Sequence, residues 1–191
     1  MTKMEVIQEN LADMLGIEQH VLQTIERQTR DDRVKKFYNA YELLKRIEPV
    51  LRSHTAELER HLVTVDGGLE SKLKKAATSI AESVAVFYDR LRTNEPVSRS
   101  LRDIYTSLNH VAISYGMLHT AALALDEVEI ATLAQMHLTG LTPLIVELSE
   151  IIPFVLATEL ADEGKIEDAT VAQQAAALYH QAWSHDVTAR V

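Results

Sequence analysis

Glu18 stands between Met14 and Val21 on a stripe of apolar residues, where a helix of this sequence turns its face to a core. A carboxylate in that position has to be paired, metal-ligating or protonated, because an isolated buried charge is costly. Tyr41, Tyr115 and His137 likewise lie on or beside the apolar stripe of their own segments, and His119 follows Tyr115 by about one turn. Phenol, imidazole and carboxylate together can satisfy one another as a buried hydrogen-bonded network, or offer oxygen and nitrogen ligands to a cation. The first arrangement is the commoner fate of buried polar groups. The 191 residues include no Cys, which excludes disulfides, thiolate metal sites and cysteine nucleophiles together. Glu18 and His137 are therefore the candidate metal ligands. His54 and His61, with Glu57, form a second candidate set at i, i+3 and i+7 on one helical face. A half-solvated surface accounts for that face more simply.

These side chains need helices to hold them, and the chain supplies little else. Apolar residues step by three and four through 4–28 at Met4, Ile7, Leu11, Met14, Val21 and Ile25. Residues 29–32 are short and polar, and Asp31 or Asp32 can cap a returning helix. The return carries Val34, Phe37, Tyr41, Leu44, Ile47, Leu51, Leu58 and Leu62, with a kink expected near Pro49 and a glycine cap at Gly67 and Gly68. A third segment, 69–91, repeats the pattern over about 35 Å.

A break around Pro96 precedes a helix that Ser98 can cap, with its stripe at Leu101, Tyr105, Leu108, Ala112, Tyr115, His119 and Ala122. Asp126 and Glu127 close it and open the next, whose stripe is Ile130, Ala134, His137, Leu141, Leu144, Leu148 and Ile151. Gly140 and Pro143 should bend that helix, with Thr142 recapping a fresh turn. The end of the chain offers a weaker helix with Val171, Ala175 and Leu178, flanked by Tyr179 and Trp183.

Residues equidistant from a tight turn face each other in an antiparallel pair. Pivoting at position 30 sets Glu18 level with Glu42, beside Tyr41 and Lys45, whereas His54 falls level with residue 6. A site shared by Glu18 and His54 is then not expected. Pivoting at Asp126 sets Tyr115 opposite His137. With a crossover between the two hairpins, Glu18 lies about 18 Å from one end of the bundle and Tyr115 with His137 about 17 Å from the other. The expected site is a central layer of Glu18, Tyr41, Tyr115 and His137, with His119 one turn away.

Composition narrows the setting. Six Gly and four Pro among abundant helix formers imply an all-α chain, read as one bundle over 1–160 and a tail helix over 161–191. The N-terminal ten residues have no signal-peptide pattern, which places the protein in the cytoplasm. The most apolar stretch, 141–156, carries Pro143, Glu147, Glu150 and Pro153, so no membrane span is expected. A net charge of −9 argues against nucleic acid, whose binding relies on Lys and Arg. No phosphate loop, nucleophile elbow or haemerythrin-type His spacing occurs.

The strings LGIEQH at 15–20 and NHVAISYG at 109–116, together with the 69–91 insertion, resemble the bacterial stress-protein branch of the ferritin-like superfamily. The resemblance implies an up-and-down bundle of four long helices with a long crossover helix between the second and third, a tendency to pair as homodimers, and iron or manganese at the bundle centre. The sequence departs from it where the chemistry sits. No Glu-x-x-His occurs; Leu51 stands three residues before His54, Leu108 and Val111 occupy positions of acids, and Gly140 and Leu141 stand where a glutamate is expected. The expectation is a lost or rebuilt metal site, with an empty centre favoured over a bound ion. The other reading is a non-catalytic bundle for self-association or partner binding through Tyr179 and Trp183 or through acidic faces.

Overall fold

The protein is represented by a computed structural model that describes residues 2–65, 95–168 and 170–183. Among the described residues it is all helical: α1 (Lys3–Arg30), α2 (Asp32–Lys35), α3 (Tyr38–Val65), α4 (Val97–Ala124), α5 (Val128–Asp162) and α6 (Val171–Trp183). The expected crossover helix 69–91 and the glycine cap at Gly67 and Gly68 lie outside the described residues. None of the described helices is long and apolar enough to cross a membrane.

Local chemistry sets the ends of these helices. At α1 a capping box satisfies two backbone donors: Thr2 Oγ1 accepts from Glu5 N–H, and Glu5 Oε2 accepts from Thr2 N–H. Asp31 accepts from Arg33 N–H, but the helix it caps is the one-turn α2. The chain breaks again at Lys36 and Phe37 before α3 starts. Pro49 lies inside α3 without interrupting it. The start of α4 differs from the Ser98 cap expected: its N-cap is Pro96, and Glu159 of α5 accepts from Val97 N–H at 2.5 Å and from the Ser98 hydroxyl at 2.5 Å. A carboxylate there also meets the positive end of the helix dipole. Thr142 recaps nothing; α5 runs on through Gly140 and Pro143, and the Thr142 hydroxyl donates to Leu138 O one turn back.

Between α4 and α5 the chain reverses in three residues. Glu127 N–H donates to Ala122 O, Asp126 N–H to Leu123 O, and Asp126 takes the left-handed conformation with φ of 64°. This is a Schellman closure with aspartate at the position that favours glycine.

Helix α1 packs on α3 and α4, and α5 packs on α3 and α4, closing a four-membered ring. The cross-helix contacts give the directions. Gln19 with Glu59 and Glu26 with Arg52 make α1 and α3 antiparallel. Lys3 with Asp126 and Glu18 beside Tyr115 make α1 and α4 antiparallel. Consequently α3 and α4, on opposite corners, run parallel. The core runs the length of this ring, from Ile7, Leu11 and Met14 to Leu51, Leu58, Leu108, Val111, Leu141 and Leu148. Met4, expected to join it, is exposed.

The tail helix α6 packs on α5 of the same chain, with Ala172 buried and His180 3.1 Å from Glu150. The stripe expected to dock is not the one that does: Val171 and Leu178 are exposed.

Candidate functional site

Each of the four long helices contributes to one polar cluster inside the bundle. From α1, Glu18 is wholly buried. From α3, His54 is buried and reaches Glu18 Oε1 through Nδ1 at 3.1 Å, while Glu57, one turn on, points at His137. From α4, the Tyr115 hydroxyl lies 2.8 Å from His137 Nδ1; from α5, His137 Nε2 lies 3.2 Å from Glu57 Oε2. The His54 and His137 rings stack at 3.8 Å and 6°, and Tyr115 stands edge-on to both. Glu57 also accepts from the Ser53 hydroxyl and is the member that touches water, its side chain 31% exposed.

Protonation follows from these contacts. Burial pushes the Tyr115 phenol above its ordinary range, and the neighbouring Glu18 adds to the effect, so the hydroxyl stays a donor. It donates to His137 Nδ1. Burial, then the nearby His54, pushes His137 down to about 4 against the pull of Glu57. His137 is therefore neutral at pH 7, and its remaining proton, on Nε2, goes to Glu57. Against burial, which would raise it, the His137 hydrogen bond and charge hold Glu57 below the usual carboxylate range. Glu18 behaves oppositely. Burial raises it despite the hydrogen bond from His54, and its Oε2 has no hydrogen-bond partner. Burial thus favours the protonated form of the Glu18 carboxyl.

The ferritin-like resemblance implies two metal ions, and the residues present do not fit them. Two divalent ions bring four positive charges, and the cluster holds two carboxylates. Leu51, Leu108, Val111 and Leu141, at or next to the positions where acids are expected, are all fully buried hydrocarbon. The three ring nitrogens named above already serve Glu18, Tyr115 and Glu57, and parallel stacked rings do not converge their lone pairs. Among the described residues no three His, Asp or Glu side chains gather into a group that could hold a metal ion.

The structure brings Glu18, Tyr115 and His137 together and leaves the other two members of the expected layer outside. Tyr41 lies 13 residues before His54 on α3, about 20 Å along the helix axis. It packs at the core edge with Lys45 over its ring. His119 sits on the flank of α4, its Nδ1 2.8 Å from Ala131 O, because the buried line of α4 runs through Ile104, Val111 and Leu118 rather than Tyr105, Ala112 and His119.

The exclusion of a Glu18 and His54 pair is corrected outright, and the cause is the turn. With α2 inserted and α3 starting at Tyr38, Glu18 and His54 are equidistant from position 36, not 30. A pivot six residues later moves the partner of Glu18 by twelve, from Glu42 to His54. Glu57, grouped in the sequence with the half-solvated face, is carried into the cluster by the same shift. His61 stays apart, with Nδ1 3.9 Å from the exposed Glu129.

Compared with protein-family models, curated proteins and solved structures, the chain finds no match.

Proposed function

We propose that this chain is a ferritin-like bundle with a degenerate metal centre, in which a proton-holding network of Glu18, His54, Tyr115, His137 and Glu57 stands where metal ions would sit. The bundle is non-catalytic, works in the cytoplasm as a homodimer, and belongs to stress or redox physiology as the resemblance implies. One observation carries the reading: three ring nitrogens of the two central histidines are committed to protein oxygens, in two sets of bonds that together involve all four helices and meet at the stacked rings. The parallel course of α3 and α4, which demands a long connection, supports the ferritin-like part.

A second reading rests on a different atom. Glu18 Oε2 is buried and without a hydrogen-bond partner, and rotation of the stacked imidazoles would turn it, with His54 and His137, into a site for one iron or manganese ion. Elemental analysis separates the two. After incubation with ferrous or manganous ion and desalting, a metal content near zero is expected. One ion per chain, abolished by His137→Phe, would establish the second reading in place of the first.

A further inference from the structure

Charge is distributed unevenly over the bundle. Helices α1 and α3 carry 16 charged residues among 56. In α4 and its turn, residues 104–125, and in α5, residues 130–146, there is no Asp, Glu, Lys or Arg at all: 22 and 17 consecutive positions in a chain that is 25% charged. At that average about ten charges would be expected there. Burial does not explain the absence, because the outward side of both helices is exposed. Ile113, Met117 and Leu123 of α4 are each more than half exposed, and Gln135, Thr139 and Thr142 of α5 are exposed as well. A Cβ added at Gly116 would meet nothing within 4 Å, so that glycine is not required by packing within the chain.

We infer that the outer face of α4 and α5 is where a second copy of this chain docks, about a two-fold axis passing near Ile113 and Met117. Charge and area select this occupant. At a net charge of −9 two copies repel, and most other faces would set carboxylates against carboxylates. A two-fold contact places a face on its own image, which this face can meet without desolvating a formal charge; the uncharged α6 also exposes Val171 and Leu178, but a single 13-residue helix offers too little area. A helix pair about 33 Å long and 20 Å wide offers roughly 650 Å² per copy, or about 1,300 Å² in the pair, above the roughly 1,000 Å² a specific interface needs. Interspersed Thr120, Gln135, Thr139 and Thr142 suit a protein surface better than hydrocarbon.

The inference rests on the homodimer part of the proposed function and is independent of metal content and of the central cluster, which elemental analysis tests separately. It is tested by sedimentation of the full chain at micromolar concentration. Wild type should run at twice 21.4 kDa, and Ile113→Glu with Met117→Glu should run as a monomer, its dimerisation weakened at least about 100-fold by like charges facing across the axis. Both side chains are exposed in the single chain, so circular dichroism and melting of the variant should match wild type. Gln23→Glu on the exposed side of α1 should leave the dimer intact. As a readout that does not depend on charge, Met117→Cys, the sole cysteine in that variant, should react with maleimide at least about tenfold more slowly than Gln23→Cys. A monomeric wild type, a double variant that stays dimeric, equal labelling of the two cysteines, or flotation of a monomeric wild type with phosphatidylcholine vesicles would each overturn it.

Discussion

Between pH 7 and pH 4.5 the wild-type bundle should lose stability that His137→Phe does not lose. His137 takes up its proton at about 4 in the folded chain and near 6.5 when unfolded. Within that window the unfolded chain holds more protons, so stability falls as pH falls. The contribution is fully present above about 6.5 and gone near 4. If the whole shift acted, the loss at pH 4.5 would be about 2.5 kcal/mol. Water reaches the Glu57 side of the ring, and screening there reduces the figure to about 1.5 kcal/mol. The substitution has its own cost at pH 7, about 1–3 kcal/mol, because the Tyr115 hydroxyl loses its acceptor inside the core. Urea unfolding at steps from pH 7 to 4.5 separates the two effects: the variant starts lower and falls less. Curves for wild type and His137→Phe that stay parallel within about 0.5 kcal/mol would refute the assignment of a neutral His137.

Glu18 has the opposite sign, since its raised carboxyl contributes stability that is present at low pH and lost as pH rises through its folded value. Glu18→Gln, which keeps an acceptor for His54, should therefore exceed wild type at pH 8 by about 1–3 kcal/mol in thermal melts, whereas Glu18→Ala should be destabilised by about 2–4 kcal/mol; the infrared carbonyl band of a protonated acid should vanish in the glutamine variant. Asp126→Gly should raise stability by about 0.5–1 kcal/mol by relieving a left-handed non-glycine residue, and an unchanged urea midpoint would count against strain in that turn. Glu159→Ala should cost about 1–2 kcal/mol and speed amide exchange selectively in the first turn of α4, whose cap it removes.

What the sequence made legible depended on how tight each turn is. The pairing of Tyr115 with His137 was readable because the reversal at Asp126 is short and closes on its own helix. The pairing of Glu18 was not, because Asp31 marks where a helix begins and says nothing of how far it runs. It begins α2, which stops after one turn. Val34, Phe37 and Tyr41 keep their three-and-four spacing straight through the break at Lys36 and Phe37, so the apolar pattern carries no sign of it. The long stripes themselves were plain, since Leu11, Met14, Val21, Leu44, Ile47, Leu51 and Leu58 are all buried as their spacing requires. Their exact facing was blurred where a segment has apolar residues on neighbouring lines, as in α4, and that blur carried His119 into a layer it does not join.

The cluster also accounts for how a helix pair with long charge-free stretches finds its place on a charged one. Leu and Ile stripes alone tolerate a slip of one turn, about 5.4 Å, at little cost in buried area. Bonds with direction do not. The hydrogen bond from His137 to Glu57 crosses from α5 to α3, the contact of Tyr115 with Glu18 crosses from α4 to α1, and Arg46 with Glu147 repeats the fastening farther along α3 and α5. Slipping the α4 and α5 pair by one turn would part His137 Nε2 from Glu57 and Tyr115 from Glu18, while the bonds of Glu18 with His54 and of Tyr115 with His137 travel with their own pairs, at about 1–3 kcal/mol for each buried group left unpaired. An apolar replacement of the whole cluster could be as stable and still permit that slip. A polar centre thus fixes the register of two helical layers, and in doing so it sets the height at which the outer face of α4 presents Ile113 and Met117.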